Sequence, residues 1–135
     1  MSAREFTGLY GERLAAEFLA AQGMRIVHVN YRIGKLELDV VAKDGDQWVF
    51  VEVKTCRAGG EFRPEDGMHR RKVANLFKAA DRFIEKYDLW DQIVRFDFVA
   101  VELDASGHSI AHFPDAFRRD DTLPDVPSDK RRSAR

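Results

Sequence analysis

Twelve residues separate Asp39 from Glu52, and Lys54 follows Glu52 at a spacing of two. The acids stand in apolar, β-branched surroundings, Glu37-Leu38-Asp39-Val40-Val41-Ala42 before the turn Lys43-Asp44-Gly45-Asp46 and Trp48-Val49-Phe50-Val51-Glu52-Val53-Lys54 after it. That composition predicts a hairpin whose strands are buried. Three carboxylates and a lysine inside it are costly unless they act together. Carboxylates one rung apart repel unless a cation lies between them. Hard divalent cations such as Mg²⁺ or Mn²⁺ take carboxylate, carbonyl and water oxygens, so Asp39, Glu52 and the backbone carbonyl of Val53 suit as ligands. Lys54 cannot coordinate, but it can hold or activate a water and offset charge on a phosphoryl group. Two acids and a lysine around a metal are equipment for hydrolysing a phosphodiester.

Hairpin parity places these groups. A two-residue turn at Asp44-Gly45 or Gly45-Asp46 makes facing residue numbers sum to an odd value. Facing residues share a side, so Glu37, Asp39, Glu52 and Lys54 are expected on one face, with Val41, Trp48 and Phe50. Leu36, Leu38, Val40, Val49, Val51 and Val53 are expected on the other, as core. A bare Glu-x-Lys also occurs in surface hairpins as a cross-strand ion pair, and that bland reading is the alternative to a site.

Five segments in order carry a resemblance: Gly11-Glu12, Asn30-Tyr31-Arg32, Glu37-Leu38-Asp39, Val49 to Lys54, and Arg95-Phe96-Asp97. Asp39 followed by Glu52-Val53-Lys54 resembles the PD-(D/E)xK nuclease signature. The set as a whole resembles the YraN-type bacterial proteins, related in fold to archaeal Holliday-junction resolvases, from about residue 5 to 102. The resemblance implies a restriction-endonuclease-like fold and Mg²⁺-dependent cleavage of DNA, branched or broken duplexes included. It implies catalytic roles for Asp39, Glu52, Lys54 and Glu12, the last from a helix leaning over the sheet, and metal ligation by Asp39, Glu52 and Glu37. Two positions depart from the pattern. Leu38 stands where the superfamily name has Pro, and Leu36 precedes Glu37 where many relatives have Gly. The second departure bears on Glu37 rather than on Asp39.

The chain has 135 residues, 44% hydrophobic and 33% charged, which suits one domain with a single core. No apolar run approaches the ~20 residues that span a bilayer, and the first residues lack the apolar stretch of a signal peptide. The single cysteine, Cys56, allows no internal disulfide and reads as an inert thiol in a cytoplasmic protein. Net charge is −1, so a nucleic-acid surface must be a local patch.

A first helix is expected over 5–22, with Phe6, Tyr10, Leu14 and Phe18 at helical spacing and Gly23 closing it. Glu12 lies on the stripe of Ala15, Ala16 and Leu19, so it either snorkels or has a polar target. A strand over 25–32 leads into the hairpin. Residues 56–67 read as a loop whose Arg57 and Arg63 can contact phosphate. A second helix is expected over 68–87 with Val73, Leu76, Phe77, Ala80, Ile84 and Tyr87 inward. It opens with the cationic run His69-Arg70-Arg71-Lys72, disfavoured there by the helix dipole. That run is either a solvated first turn or a phosphate contact, so Arg57, Arg70, Arg71 and Lys72 are the nucleic-acid candidates. An internal strand over 95–103 carries Arg95 and Asp97 as a structural pair, and a short strand from Gly107 ends near Phe113.

These elements give an α/β domain over 1–116, a mixed sheet flanked by helices in the order α-β-β-β-α-β-β, and a polar tail over 117–135 expected to be disordered. Other motifs fail. Gly34-Lys35 has Val29 where a phosphate loop needs glycine, the histidines lack zinc spacing, and Thr55 stands where a calcium loop from Asp44 needs glutamate. The expected function is a Mg²⁺- or Mn²⁺-dependent nuclease whose partner is DNA, with no membrane and with a homodimer compatible. The other readings are a nucleic-acid-binding protein that cleaves nothing and a scaffold domain bearing an ion-pair ladder.

Overall fold

The computed structural model describes residues 1–59 and 70–119. Helix α1 (Ala3–Ala21) precedes strands β1 (Arg25–Ile33), β2 (Leu36–Asp44) and β3 (Gln47–Arg57); helix α2 (Arg70–Tyr87), β4 (Val94–Asp104) and β5 (Gly107–Phe113) follow. The strands form one sheet in the order β1-β2-β3-β4-β5. Only β3 and β4 run parallel, joined through α2 as a parallel pair requires. This is the expected mixed α/β architecture and element order.

One helix covers each face. α1 places Leu14, Ala15 and Leu19 against Val40, Val49, Val51, Val99 and Val101. α2 places Leu76, Phe77, Phe83 and Ile84 against Val41, Phe50, Phe96 and Phe98. Phe83, absent from the expected inward face, is the hub of the second layer, with ring centroids 5.3 Å from Tyr31, 5.6 Å from Phe50 and 5.7 Å from Trp48. Tyr87, expected inward, is partly exposed at the end of α2, with its ring 4.6 Å from that of Phe83.

α1 starts earlier than its apolar spacing indicates, because Ser2 and Glu5 form a capping box. Phe6 and Tyr10 stay exposed, so the buried stripe is the Gly11, Glu12, Ala15, Ala16, Leu19 face instead. Gly23 ends the helix at φ +102°, a left-handed value that suits glycine. β3 continues through Cys56 and Arg57, paired with Glu102 and Leu103 of β4, so these two are strand residues rather than loop. Arg63, His69 and the rest of 60–69 lie outside the described residues, as does 120–135. The packed chain runs past residue 116: Phe117 is buried beside Phe98, and Arg119 binds Asp81 through two hydrogen bonds. Among the described residues no helix is long and apolar enough to cross a membrane.

Candidate active site

The hairpin turns at Gly45-Asp46, with Asp44 facing Gln47 and Val40 facing Val51, so facing numbers sum to an odd value as expected. Pairing stops there. Beyond Val40, β2 stays on β1 as far as Ile33↔Leu36, while β3 stays on β4 as far as Arg57↔Leu103. The sheet therefore opens into a notch between β2 and β3. Asp39 stands at its base, where its Oδ2 accepts the Val53 N–H at 2.8 Å.

The parting corrects the assignment of faces. Leu36 and Leu38 pack in the α2 layer with Val41 and Phe50, whereas Val40 packs in the α1 layer. Alternation breaks between Leu38 and Val41 as β2 twists away from β3, which turns Glu37 and Asp39 toward α1. Glu52 keeps β3's regular alternation and meets α2, where Lys72 Nζ donates to its Oε2 at 3.1 Å. The acids thus converge through the notch from both sides of the sheet, not from one charged face.

Glu12 completes the cluster. It is buried on α1, and one carboxylate oxygen from each of Glu12, Glu37 and Asp39 lies within 4.8 Å of the others. Two residues place it. Gly11 lets α1 approach β3 so closely that a Cβ there would stand 1.8 Å from Thr55 Oγ1. Asn30, held at φ +55°, donates from Nδ2 to Glu12 Oε1 at 2.9 Å. Asparagine tolerates that left-handed backbone better than most residues. Glu37 sits at the rim and also pairs with Arg32 at 3.2 Å.

A cleft of about 540 Å³ is lined by Arg4, Glu12, Glu37, Asp39, Lys54, Arg57 and Lys72. A smaller one of about 200 Å³ reaches Glu52 from the α2 side, between Lys35, Lys72 and Asn75. Burial, then the neighbouring Glu12 charge, push the Asp39 pKa up to about 7, against the Val53 N–H and Lys72. Burial and then Asp39 push Glu52 to about 8, and Lys72 only partly opposes them. Burial likewise raises Glu12 despite Asn30. Burial works to lower Lys72, yet the Glu52 carboxylate carries it above the usual lysine range. Near neutral pH the cluster retains protons that a cation could replace. Crowded carboxylate oxygens that resist ionisation are the donor set a hard divalent ion fits.

Of the expected site residues, Glu12, Glu37, Asp39, Glu52 and Lys54 all line these clefts. Arg57 lies on the rim, and Arg70 and Arg71 are exposed on the first turn of α2. Lys72, expected among the phosphate contacts, is inside the cluster. Asn30 and Thr55 are site residues that the sequence does not announce; Asn30 lies within one of the segments that carry the resemblance, but nothing in its position signals a strand residue turned toward Glu12.

A second polar centre is separate. Asp97, fully buried on β4, accepts from Arg95 at 2.9 and 3.0 Å and from the Asp115 N–H at 2.9 Å, and pairs with His112 Nε2 at 2.8 Å. Arg95 also donates to Asp44 Oδ2 and Gln47 Oε1 at the hairpin turn. Burial alone would raise Asp97, but these partners hold it below the ordinary range. This is the structural pair expected from sequence, with additional partners.

A five-stranded mixed sheet between two helices, with acids converging at a strand notch, is the restriction-endonuclease-like arrangement that the resemblance to the PD-(D/E)xK class implies. The chain belongs to the uncharacterised protein family UPF0102, whose model matches residues 11–101. It is 41% identical to a UPF0102 protein of Nitratidesulfovibrio vulgaris strain Hildenborough over 123 residues, 91% of this chain and 92% of that one. Similar proteins occur in Dehalococcoides mccartyi strain BAV1, 41% identical over 74% of this chain and 83% of the relative, and in Christiangramia forsetii, 39% over 82% and 92%.

Proposed function

We propose that the notch is a divalent-metal-dependent phosphodiesterase site acting on DNA. The observation that carries this is the convergence of Glu12, Glu37 and Asp39 within 4.8 Å, next to Glu52. Asp39, Glu52, Glu37 and Glu12 would hold Mg²⁺ or Mn²⁺. When bound, such an ion lowers the pKa of a water and offsets charge developing on the phosphate. Lys54, on the same cleft wall, would orient the attacking water, and Lys72 would release Glu52 and neutralise phosphate charge. Arg57, Arg70 and Arg71 would hold the DNA backbone beside the cleft. These roles fit a cytoplasmic protein working on nicked, broken or branched duplexes.

One observation favours a second reading, a nucleic-acid-binding protein that cleaves nothing: Glu52 is already engaged by Lys72 at 3.1 Å. Purified protein incubated with branched, nicked, blunt and single-stranded DNAs, with Mg²⁺, Mn²⁺ or chelator, separates the two. Metal-dependent cleavage lost in Asp39→Asn supports hydrolysis. Binding without cleavage of any substrate transfers support to the second reading.

A further inference from the structure

We propose that the outer basic face of α2 is a track for the phosphodiester backbone of DNA, leading from the carboxylate notch to the far end of the helix. This rests on reading the notch as a DNA-acting site. Positions 71, 75, 78, 82 and 86 are spaced by four, three, four and four residues, so they form one stripe. They read Arg71, Asn75, Lys78, Arg82 and Lys86, all exposed, and Lys72 flanks the stripe at its start.

Contacts fix the track at three points. Beside the notch, Lys35, Lys72 and Asn75 line the smaller cleft together with Asp39 and Glu52. Midway, the Arg82 guanidinium reaches the β1–β2 turn, where a Cβ added to Gly34 would stand 3.1 Å from its Nη1. At the far end, Lys86 Nζ donates to the Tyr31 hydroxyl at 3.2 Å, and that hydroxyl lies 2.9 Å from the hydroxyl of Tyr87. An ammonium and two hydroxyls converging on one exposed point are suited to phosphate oxygens.

The charge pattern distinguishes this face from an ordinary solvated one. Solvated helices interleave opposite charges at spacings of four, whereas Lys78, Arg82 and Lys86 are successive like charges that oppose helix formation. Among the described residues, no carboxylate forms an ion pair with Lys78, Arg82 or Lys86. Asp81 is turned away to Arg119. Glu85 borders the stripe without a described partner. The whole chain carries a net charge of only −1, so this concentration is local. At 1.5 Å per residue, Lys72 to Lys86 spans about 21 Å. One strand of B-form DNA presents a phosphate every ~3.4 Å of axis, so the track matches about six of them.

The test compares two variants of equal charge change. Lys78→Glu with Arg82→Glu removes the centre of the track; Arg13→Glu with Arg25→Glu makes the same change on exposed residues away from it. A fluorescein-labelled blunt DNA duplex is titrated by anisotropy at several salt concentrations. The track pair is expected to lose tenfold or more in affinity at low salt, with a log–log salt slope shallower by about 1.8. The control pair should keep the wild-type slope. Lys78→Ala with Arg82→Ala repeats the comparison if the glutamate pair loses its far-UV helical signal. Equal losses in both pairs, or none in the track pair, overturn the track even where cleavage is intact. A track pair that loses the slope while wild-type protein binds but cleaves nothing supports the track and overturns hydrolysis. Wild-type protein with no salt-dependent binding overturns both.

Discussion

The Val53 N–H donates to Asp39 Oδ2 at 2.8 Å at the point where β2 and β3 have ceased to pair. The carboxylate satisfies a main-chain donor that the parted strand leaves open. A single bond thus closes the base of the notch and fixes Asp39 between Glu12 on one side of the sheet and Glu52 on the other. It also occupies one acceptor lone pair of the Asp39 carboxylate.

If Asp39, Glu52 and Lys54 act as one unit, Asp39→Asn, Glu52→Gln and Lys54→Ala each abolish metal-dependent cleavage. Their losses are non-additive, so a double variant is little worse than either single one. Rates on the cleaved DNA under single-turnover conditions measure this. Near wild-type turnover by Lys54→Ala would remove the lysine from the chemistry.

Gly11→Ala tests how α1 positions Glu12. The new Cβ meets Thr55 Oγ1 at 1.8 Å and Thr55 Cβ at 2.9 Å, so helix and strand must separate. Overpacking of this kind costs about 1–3 kcal/mol. Glu12 should be carried away from Asp39, lowering metal affinity as well as stability. The interaction is specific to the pair, so in a Thr55→Gly background the same change should cost much less. Denaturant melts of the four proteins give the coupling; strict additivity would show that the contact is relieved elsewhere.

The hairpin, its turn and the candidate acids were legible because alternation and turn chemistry act over a few residues. The consequence for faces failed at Leu36 and Leu38, because parity holds only while two strands stay paired. Nothing local announces where β2 leaves β3. Lys72 was legible as a cation bordering an apolar stripe, but its approach to Glu52 depends on how α2 lies across the sheet. Phe6 and Tyr10 have helical spacing yet stay exposed, since spacing fixes a stripe without saying whether the sheet reaches it. Asn30 is silent in the sequence, because a left-handed residue within a strand has no signature beyond the tolerance of asparagine for it.

Asp97 should behave as the opposite of Asp39. Its partners hold its pKa below the ordinary range, so it stabilises the fold above its unfolded pKa, and that contribution is lost as pH falls through the lower folded value. Asp97→Asn leaves Arg95 and His112 facing a neutral amide, and breaking a buried pair costs about 3–5 kcal/mol. The variant should be less stable than wild type at pH 7, and the gap should narrow only below about pH 4. Cleavage per folded molecule should remain, because among the described residues no hydrogen bond or ion pair joins Asp97 to the notch acids. Urea melts across pH read this directly; a gap that does not narrow in acid would show that the Asp97 charge is not its source.

Metal dependence can be read without any substrate. Asp39 and Glu52 carry folded pKa values of about 7 and about 8, above the ordinary 3.8 and 4.5. A raised carboxylate disfavours the folded state once the unfolded chain ionises, so the cost begins near pH 4, grows with pH and is full above about 8. Chelated wild-type protein should therefore lose stability across that range. Asp39→Asn keeps an oxygen to accept the Val53 N–H while removing one charge. In chelator it should melt higher than wild type at pH 8, by an amount on the order of a few kcal/mol or less, and the gain should vanish toward pH 4. Mn²⁺ or Mg²⁺ should reverse the order, because the wild-type cluster binds the ion and gains stability by mass action. An ion-pair ladder predicts the opposite, an Asp39→Asn protein less stable in chelator and no metal response in either. Thermal melts of both proteins at two pH values, with chelator and with metal, decide between them.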